Sequence, residues 1–462
     1  MARALESVDP TSGERVRRWE ELAPDALEAR LATAAAAQRR WEAVPVTERA
    51  QVLSRAAALL RARAGSLALL MAEEMGKPVA QGRAEAEKCA SACEFYAREG
   101  SAMLADEVPL PGPTPAHERV AFRPLGLVLA IMPWNFPLWQ VVRCAAPILV
   151  AGNGLLLKHA ENVQGCAVAL EELFAAAGAP RGVFTNLAVG VARVAPLIRD
   201  RRVAAVTLTG STRAGRAVAE VAGSALKKCV LELGGSDPYL VLADADLELA
   251  ARTCVASRLL NGGQSCIAAK RFVVVEPVRA EFTERVLAEM RAKTMGDPRG
   301  AVDLGPQARA DLRAELHAQV ERSVAGGARC LLGGELPRGA GFFYPPTVLT
   351  DVAPGQPAHA EELFGPAAAI LAARDEAHAL ELASDSPFAL GAAVFTRDVA
   401  RGLRLAREAL PAGSVFVNDF VRSDPRLPFG GLRDSGYGRE LGSFGLREFV
   451  NVKTLVAPGG AA

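Results

Sequence analysis

Cys266 is a residue whose type and setting could carry chemistry. In NGGQSCIAAKRFVVV it follows a glycine-containing turn and precedes an apolar, strand-like run. Such a place exposes a thiol and directs its backbone N–H at a ligand, and a cysteine thiolate is a strong nucleophile. The same setting also suits an inert structural cysteine. Cys266 is therefore a candidate nucleophile whose assignment needs further evidence.

Glu232 is a second residue of this kind. It closes an apolar run in VLELGGSDP, and the two glycines after it allow a sharp turn and leave room for a ligand. A carboxylate placed there could act as a general base toward a thiol or a water. A salt-bridged or helix-capping glutamate would fit the same pattern.

Asn135 is the third candidate, in IMPWNFPLWQ. Prolines on either side restrict the backbone around Trp134, Asn135 and Phe136. A rigidly held asparagine amide is a good hydrogen-bond donor to charge that develops on a substrate oxygen. The alternative is a simple turn.

The bulk composition limits the classes of function. The 462 residues predict two or three domains, and 53 basic against 52 acidic residues give no electrostatic support for binding a polyanion. The eight cysteines are scattered, without the spacing of a disulfide framework or a zinc cluster, so no metal is expected. The N-terminal segment lacks an apolar core of signal-peptide length, and the longer apolar runs are too short or interrupted to span a membrane, which predicts a cytoplasmic protein.

The elements that must position these residues follow an alternating pattern. Helical spacing runs from about residue 24 to 63 with a break near Val44 and Pro45, and the proline-rich segment 109–120 predicts an extended connector. Strand-like runs then alternate with helical ones up to Leu233, and a second such series follows the two glycines. This order predicts an α/β fold with two doubly wound, largely parallel sheets and a cleft between them.

The motifs together resemble the aldehyde dehydrogenase superfamily. PWNFP, LELGG and GQSC occur in the order and spacing of that superfamily, and the resemblance extends over nearly the whole chain to SGYGRELGSFGLREFVNVKT. Within the superfamily, the segments IMPWNFPLWQVVR, KKCVLELGGSDPYLVL and ELFGP are most similar to those of bacterial succinate-semialdehyde dehydrogenases.

The resemblance implies a domain organisation. Residues 1–108 and 130–233 would form a Rossmann-like NAD(P)-binding domain, and residues 234–449 a catalytic domain. Residues 109–129 and 450–462 would form a small β extension that pairs with a neighbouring subunit. A homodimer or a homotetramer is therefore expected.

The resemblance also implies a reaction without a metal. Cys266 matches the nucleophile, Glu232 the general base, and Asn135 the donor that meets the oxyanion together with the Cys266 backbone N–H. An aldehyde would add to the thiolate, lose hydride to the nicotinamide and leave as an acid after hydrolysis of the thioester. Retention of Glu232 favours water over coenzyme A or phosphate as the acceptor.

The cofactor site is implied in the same way. The matching residues are Trp134, Lys158, Glu161, Gly210, Ser211, Gly215, Glu362 and Phe364. Lys158 and Glu161 would bind the adenosine ribose, the TLTGSTRAG loop the pyrophosphate, and Glu362 and Phe364 the nicotinamide ribose and ring. The carboxylate of Glu161 would repel a 2′-phosphate, which favours NAD, with NADP as the alternative.

Substrate recognition is the least constrained inference. Arg143 matches an arginine that binds the distal carboxylate in succinate-semialdehyde dehydrogenases, and Ser423 lies in a loop that resembles one bordering the substrate tunnel. Some relatives carry a second such arginine six residues before the nucleophile, and in this sequence Leu260 occupies that position. Arg422 or Arg426 could supply the positive charge that Leu260 lacks. The alternative is that both are solvated loop residues. A broad-range aliphatic aldehyde dehydrogenase and a catalytically silent nucleotide-binding scaffold stay open, as does a relay or ion-pair role for Glu440.

Overall fold

The computed structural model describes residues 4–110 and 116–458. Its first part is a hairpin followed by helices: β1 (Ala4–Val8), β2 (Arg15–Glu20), α1 (Pro24–Trp41), α2 (Val46–Ala62), α3 (Ala64–Met75) and α4 (Val79–Met103). The predicted break between the first two helices is present, with Pro45 at the start of α2. Leu27, Leu31 and Ala34 recur at helical spacing and are buried, so α1 packs one apolar face against the protein.

The next part forms the first sheet. Its elements are β3 (Ala116–Pro124), β4 (Leu127–Met132), α5 (Trp139–Val150), β5 (Gly154–His159), α6 (Gln164–Ala176), β6 (Phe184–Asn186), α7 (Val194–Arg199), β7 (Val203–Thr209), α8 (Thr212–Ser224) and β8 (Lys228–Glu232). Strands β8, β7, β4, β5 and β6 lie side by side in that order, and all are parallel. Helices cover both faces, so the central strands consist of continuous apolar residues.

The second sheet is built in the same way. Its elements are β9 (Asp237–Val241), α9 (Leu247–Leu259), β10 (Ala269–Val275), α10 (Glu276–Arg291), α11 (Ala310–Ala325), β11 (Arg329–Leu332), β12 (Thr347–Thr350), α12 (Pro357–Ala360), β13 (Ala367–Ala373), α13 (Glu376–Ser384), β14 (Phe388–Ala389), β15 (Gly391–Phe395), α14 (Val399–Glu408) and β16 (Ser414–Val417). The strand order is β11-β12-β13-β10-β9-β15-β16, with β11 antiparallel to its neighbour and the other pairs parallel. The predicted fold class is confirmed.

The C-terminal part returns to both earlier regions. It contains β17 (Leu432–Arg433), β18 (Gly436–Tyr437), α15 (Gly442–Arg447) and β19 (Val450–Pro458). Strand β18 adds antiparallel to the edge of the first sheet, with Gly436 opposite Glu232. Strand β19 pairs antiparallel with β3 along its whole length and forms a two-stranded ribbon apart from the sheets.

The predicted domain boundaries stay predictions. Strand β4 belongs to the first sheet, so the boundary expected after residue 129 falls inside a strand. Residues 116–124 of the expected connector and extension form β3, and residues 450–458 form β19. Residues 1–3, 111–115 and 459–462, which also belong to the predicted segments, lie outside the described residues.

The first sheet positions the candidate residues at the carboxyl ends of its strands. Residues 133–137 follow β4, Lys158 is near the end of β5, Gly210 follows β7, and Glu232 ends β8. In open α/β sheets this edge is where ligands bind. No helix within the described ranges has the length and apolar character needed to cross a membrane.

Candidate active site

A cavity of about 500 Å³ brings many of the predicted residues together. Those that line it are Trp134, Asn135, Gly210, Ser211, Cys266, Glu362 and Phe364. The other predicted residues, all of them described, are not among the lining residues: Lys158, Glu161, Gly215, Glu232, Arg143 and Ser423. The predicted nucleophile, the predicted oxyanion donor and the residues expected near the nicotinamide therefore meet at one place.

The loop before Cys266 has an unusual backbone that fixes the thiol. A short 3₁₀ turn, Leu260–Gly263, follows α9, and within it Asn261 and Gly262 have φ values of 57° and 62°. This left-handed conformation is costly for residues other than glycine, so neighbouring contacts must maintain it. Asn261 has such contacts, since its backbone N–H donates to Gln81 Oε1 at 2.8 Å and its Nδ2 to the Asn135 carbonyl at 2.6 Å. Lys270 holds the thiol segment itself, because its Nζ donates to the carbonyl oxygens of Ser265 at 2.8 Å and Cys266 at 2.7 Å.

Burial controls the protonation of Cys266. The half-buried side chain lies in an apolar setting that raises the pKa of its thiol to about 12, while the positive charges of Lys270 and Arg143 act in the opposite direction. The thiol is therefore protonated at neutral pH and requires a base before it can attack.

Asn135 is held rigidly, as its flanking prolines predict. It is 4% exposed, and its backbone carbonyl accepts hydrogen bonds from Lys77 Nζ at 2.9 Å and from Asn261 Nδ2 at 2.6 Å. The side-chain Nδ2 donates to the carbonyl of Gln264, two residues before Cys266, at 3.0 Å. An amide nitrogen carries two N–H donors, so one remains for an oxyanion.

The start of α5 is braced by a buried carboxylate. Glu85 Oε1 accepts the backbone N–H groups of Leu138 and Trp139, each at 2.9 Å, and Glu85 is ion-paired with Lys77. Helix N-termini present unpaired N–H groups and a partial positive charge, both of which a carboxylate satisfies. Because Lys77 also bonds the Asn135 carbonyl, this pair ties the helix to the oxyanion donor.

Glu232 is buried beneath the cavity. Neither carboxylate oxygen has a hydrogen-bond partner within the described residues, so no bond joins Glu232 to Cys266. Burial and the negative charge of Glu440 raise the pKa of Glu232 well above its usual range. A β-carbon on Gly430 would lie 2.7 Å from Glu232 Oε1, so only a glycine leaves space for this position of the carboxyl group. To act as a base toward a water at Cys266, the side chain must turn toward the cavity.

The start of α8 suits a phosphate group. Ser211 caps this helix, with its Oγ accepting the N–H of Ala214 at 3.3 Å, and Gly210 precedes it. A β-carbon on Gly215 would lie 2.5 Å from Leu233, so the absence of a side chain lets the helix approach the end of β8. Small residues at a helix N-terminus allow phosphate oxygens to reach backbone N–H groups. These residues fit the pyrophosphate of a dinucleotide.

The side of the cavity expected to hold the nicotinamide has an aromatic pair and a carboxylate. The rings of Trp134 and Phe364 pack edge to face, with 5.8 Å between their centroids. Glu362 Oε1 lies 3.4 Å from Lys270 Nζ and accepts the Gly235 N–H at 3.1 Å. Burial raises the pKa of Glu362, and Lys270 opposes this shift. Lys158 and Glu161 lie at the end of β5 and at the start of the following 3₁₀ turn.

The predicted substrate residues are engaged inside the protein. Arg143 is 2% exposed, is ion-paired with Glu440, and donates to Thr209 Oγ1 at 3.2 Å. Because Glu440 already pairs with Arg143, a substrate carboxylate would have to compete with Glu440 for it. The binding of substrate by Arg143 stays a prediction. Ser423 accepts a hydrogen bond from Lys88 Nζ at 2.8 Å.

The remaining loop candidates lie at the surface. Arg422 and Arg426 are exposed and ion-paired with Asp419 and Asp424, respectively. Leu260, at the position of the second family arginine, is also exposed. Across residues 4–110 and 116–458, no group of three or more His, Cys, Asp or Glu side chains is placed to hold a metal ion.

Sequence reasoning missed the lysines around the site. Lys77, Lys88 and Lys270 contact the oxyanion loop, Ser423 and the nucleophile loop. The chain has only eight lysines among its 53 basic residues, so a lysine within an apolar or alanine-rich segment is a usable signal. A compact ammonium group on a flexible stem fits where a planar guanidinium does not.

Comparisons with known proteins agree with this geometry. The model of the aldehyde dehydrogenase family matches residues 1–455. Over 97% of both chains the sequence is 51% identical to succinate semialdehyde dehydrogenase [NAD(P)+] Sad of Escherichia coli. It is 45% identical to a probable succinate-semialdehyde dehydrogenase [NADP(+)] of Synechocystis, over 98% of this chain and 99% of the other.

Solved structures show the same likeness. Succinic semialdehyde dehydrogenase from Streptococcus pyogenes, in complex with NADP+, superposes with a TM-score of 0.96 at 33% identity, over 98% of this chain and 100% of the other. Gox0499 superposes equally well at 40% identity, over 98% and 99% of the two chains. The family match, the sequence identities and the shared fold lead to one conclusion. The chain belongs to the aldehyde dehydrogenase family.

Proposed function

We propose that this protein oxidises succinate semialdehyde to succinate with NAD+ or NADP+ through a thioester on Cys266. The observation that carries the proposal is the cavity in which Cys266, Asn135 and Phe364 meet. Relatives 43–51% identical over nearly the full length, whose names specify succinate semialdehyde, support the choice of substrate.

The first half of the reaction depends on Cys266 and Asn135. Cys266 first gives its proton to solvent, and the thiolate then attacks the aldehyde carbon, whose carbonyl oxygen becomes an oxyanion. As this oxyanion collapses, the aldehyde hydrogen leaves as hydride and the thioester remains on Cys266. The free N–H of the Asn135 amide and the backbone N–H of Cys266 stabilise that charge. The bound dinucleotide supplies the hydride acceptor.

The second half depends on Glu232. The thioester on Cys266 is hydrolysed by a water, and the Glu232 carboxylate takes the proton from that water as it attacks. Only the ionised carboxylate can do this, whereas burial raises the pKa of Glu232, and the side chain must also leave its position against Gly430. Release of the acid returns Cys266 to the thiol form.

Both dinucleotides are included in the proposal. Glu362 would hold the nicotinamide ribose, Ser211 and Gly210 the pyrophosphate, and Lys158 and Glu161 the adenosine ribose. The negative charge of Glu161 would weaken binding of a 2′-phosphate, so we expect a preference for NAD.

A broad-range aliphatic aldehyde dehydrogenase is the second candidate. The ion pair between Arg143 and Glu440 favours it, because that arginine is then less available to a substrate carboxylate. The silent-scaffold alternative has less support, since Cys266, Glu232 and Asn135 are all present.

Assembly and location complete the proposal. The β3–β19 ribbon stands apart from the sheets and exposes Val452, Leu455 and Val456. Exposed apolar side chains on a strand favour pairing with another subunit, so we expect a homodimer or homotetramer. We also expect a cytoplasmic location.

The test is the rate of NADH or NADPH formation with succinate semialdehyde, glutarate semialdehyde and propanal. Succinate semialdehyde with NAD should give the highest kcat/KM, and Cys266→Ala should abolish turnover. A higher kcat/KM for propanal would favour the broad-range alternative. Absence of turnover with every pair, in folded protein, would favour the silent scaffold.

A further inference from the structure

A cationic cluster lies beside the first turns of α5. Lys88 Nζ, on α4, is 2.8 Å from Ser423 Oγ and 4.3 Å from the ring centroid of Trp139. Trp139 and Arg143 are four residues apart and therefore lie on the same face of α5. Lys88 on α4 and Arg143 on α5 thus place two positive charges in the region of the Ser423 hydroxyl group.

The positive charge of Lys88 is not neutralised by the protein. Among the described residues, no carboxylate forms an ion pair with it. The two carboxylates that influence it most are already engaged, Glu85 with Lys77 and α5, and Asp424 with Arg426. Lys88 is half-buried, and a partly desolvated cation without an anionic partner marks a place where an anion would bind.

The cluster adjoins the reaction centre. Gln140, the residue after Trp139, lines the cavity together with Cys266 and Asn135. The charge of Arg143 acts on both Lys88 and Cys266, which places both within its electrostatic reach. The extended carbon chain of a four-carbon semialdehyde spans about 4 Å between its terminal carbons, so both ends stay near one another.

We propose that Lys88, together with Ser423, binds the distal carboxylate of the substrate. The ammonium group has further donors beside the one given to Ser423, and the Ser423 hydroxyl, which accepts from Lys88, keeps its own proton to donate. Lys88 thereby supplies a cation that Leu260, at the position of the second family arginine, does not. This inference rests on the proposed function.

The pH behaviour of Lys88 provides a readout that structural damage would not imitate. Burial and the charge of Arg143 lower the pKa of Lys88 to about 8. The groups around it are Glu85 and Cys89 on α4, Arg143 on α5, and Asp424 beyond β16. Burial raises the pKa of Cys89 well above its usual range, and Arg426 lowers that of Asp424, so neither changes charge near pH 8. Ion pairs engage Glu85 and Arg143.

The experiment compares succinate semialdehyde with butanal, which has the same carbon chain without the carboxylate. The quantity measured is the ratio of their kcat/KM values with saturating NAD, so that effects on Cys266 or Glu232 cancel. Lys88→Met should lower this ratio about 10- to 100-fold, the loss expected for a charge-assisted hydrogen bond. Lys88→Arg should restore most of it, and Lys293→Met, at a lysine beyond the end of α10, should leave it unchanged.

The wild-type ratio should be constant below pH about 8 and fall above it, as the Lys88 charge is lost. In Lys88→Met this pH dependence should vanish. An unchanged ratio in Lys88→Met, or a flat wild-type profile, would overturn the inference. If Lys88→Met fails to fold, the wild-type profile and Lys88→Arg decide. A wild-type ratio near one would instead refute the proposed substrate.

Discussion

At the residue scale, burial sets the resting chemistry of the two reacting groups. It raises the pKa of Cys266 to about 12 and that of Glu232 well above its usual range. Burial thus favours the neutral form of each group, because a charge without a partner is costly away from water. The charges of Lys270 and Arg143 favour the thiolate and oppose this effect at Cys266.

Alkylation of Cys266 should therefore depend steeply on pH. Below its pKa the thiolate fraction rises about tenfold per pH unit, so the iodoacetamide rate without cofactor should rise about 100-fold between about pH 7 and pH 9. Mass spectrometry of the Cys266 peptide measures the rate, and Cys266→Ser provides the blank. A rate independent of pH over this range would show that the thiolate already predominates.

The residues found from sequence and those missed differ in how local their signals are. Cys266 and Asn135 stand in motifs whose neighbours already restrict the backbone, so their setting could be inferred. Lys88 lies in an alanine-rich helix, and its partner Ser423 is 335 residues away. Contacts across such a separation depend on the packing of the whole fold and leave no local pattern.

At the element scale, α5 and α8 position the chemistry through their first turns. The N-terminus of α5 is neutralised by Glu85, while that of α8 is left for a ligand beside Gly210. The dipole of each helix is thus used differently. The approach of α8 to the first sheet is set at the end of β8, where Leu233, the residue after Glu232, packs against Gly215.

The approach of α8 to β8 predicts a cofactor-binding defect in Gly215→Ala. The new β-carbon would meet Leu233 at 2.5 Å and push the helix away from the pyrophosphate position. The Kd for NAD should rise about tenfold, measured by quenching of tryptophan fluorescence. Gly223→Ala is the matched control on the same helix, because nothing lies within 4 Å of its β-carbon. Equal effects of the two variants would refute the argument.

The buried pair at α5 predicts a large loss of stability in Glu85→Ala. Lys77 would keep a buried charge without its partner, and two N–H groups of α5 would lose their acceptor. The free energy of unfolding should fall by about 3–5 kcal/mol, measured by urea denaturation. The double variant Lys77→Met/Glu85→Gln removes both charges and keeps an acceptor, so it should lose less. A larger loss in the double variant would contradict this account.

The parallel strands were predictable where they are continuous apolar runs between helices, as are LVLAIM in β4 and AAAILAA in β13. The hairpin of β1 and β2 was not, since β2 is the polar and mostly exposed segment RVRRWE. Tertiary contacts explain it, because Ser7 Oγ donates to Glu74 and to the Asn162 carbonyl, both at 2.8 Å. Such contacts override a weak local preference.

At the scale of the whole molecule, the long-range pairing of β19 with β3 joins the C-terminus to the region before the first sheet. Its exposed apolar side chains have no function in an isolated subunit. The sequence indicated this extension only through the resemblance, because a two-stranded ribbon has no sheet pattern of its own.

Removal of residues 450–462 should therefore abolish assembly. Light scattering during size-exclusion chromatography should give two or four times the monomer mass for the full chain and the monomer mass for the truncated one. NAD binding, which depends on the first sheet, should persist and serves as the control for folding. A full-length protein that is monomeric would contradict the proposed role of the ribbon.

The division of labour between Cys266 and Glu232 is the central claim, and a single-turnover measurement on Glu232→Gln tests it most directly. Mixing this variant with NAD and succinate semialdehyde should release one equivalent of NADH in a burst. The Cys266 peptide should then carry a succinyl group, because the thioester forms but its hydrolysis lacks a base. A burst without an adduct on Cys266, or steady turnover at the wild-type rate, would contradict the account.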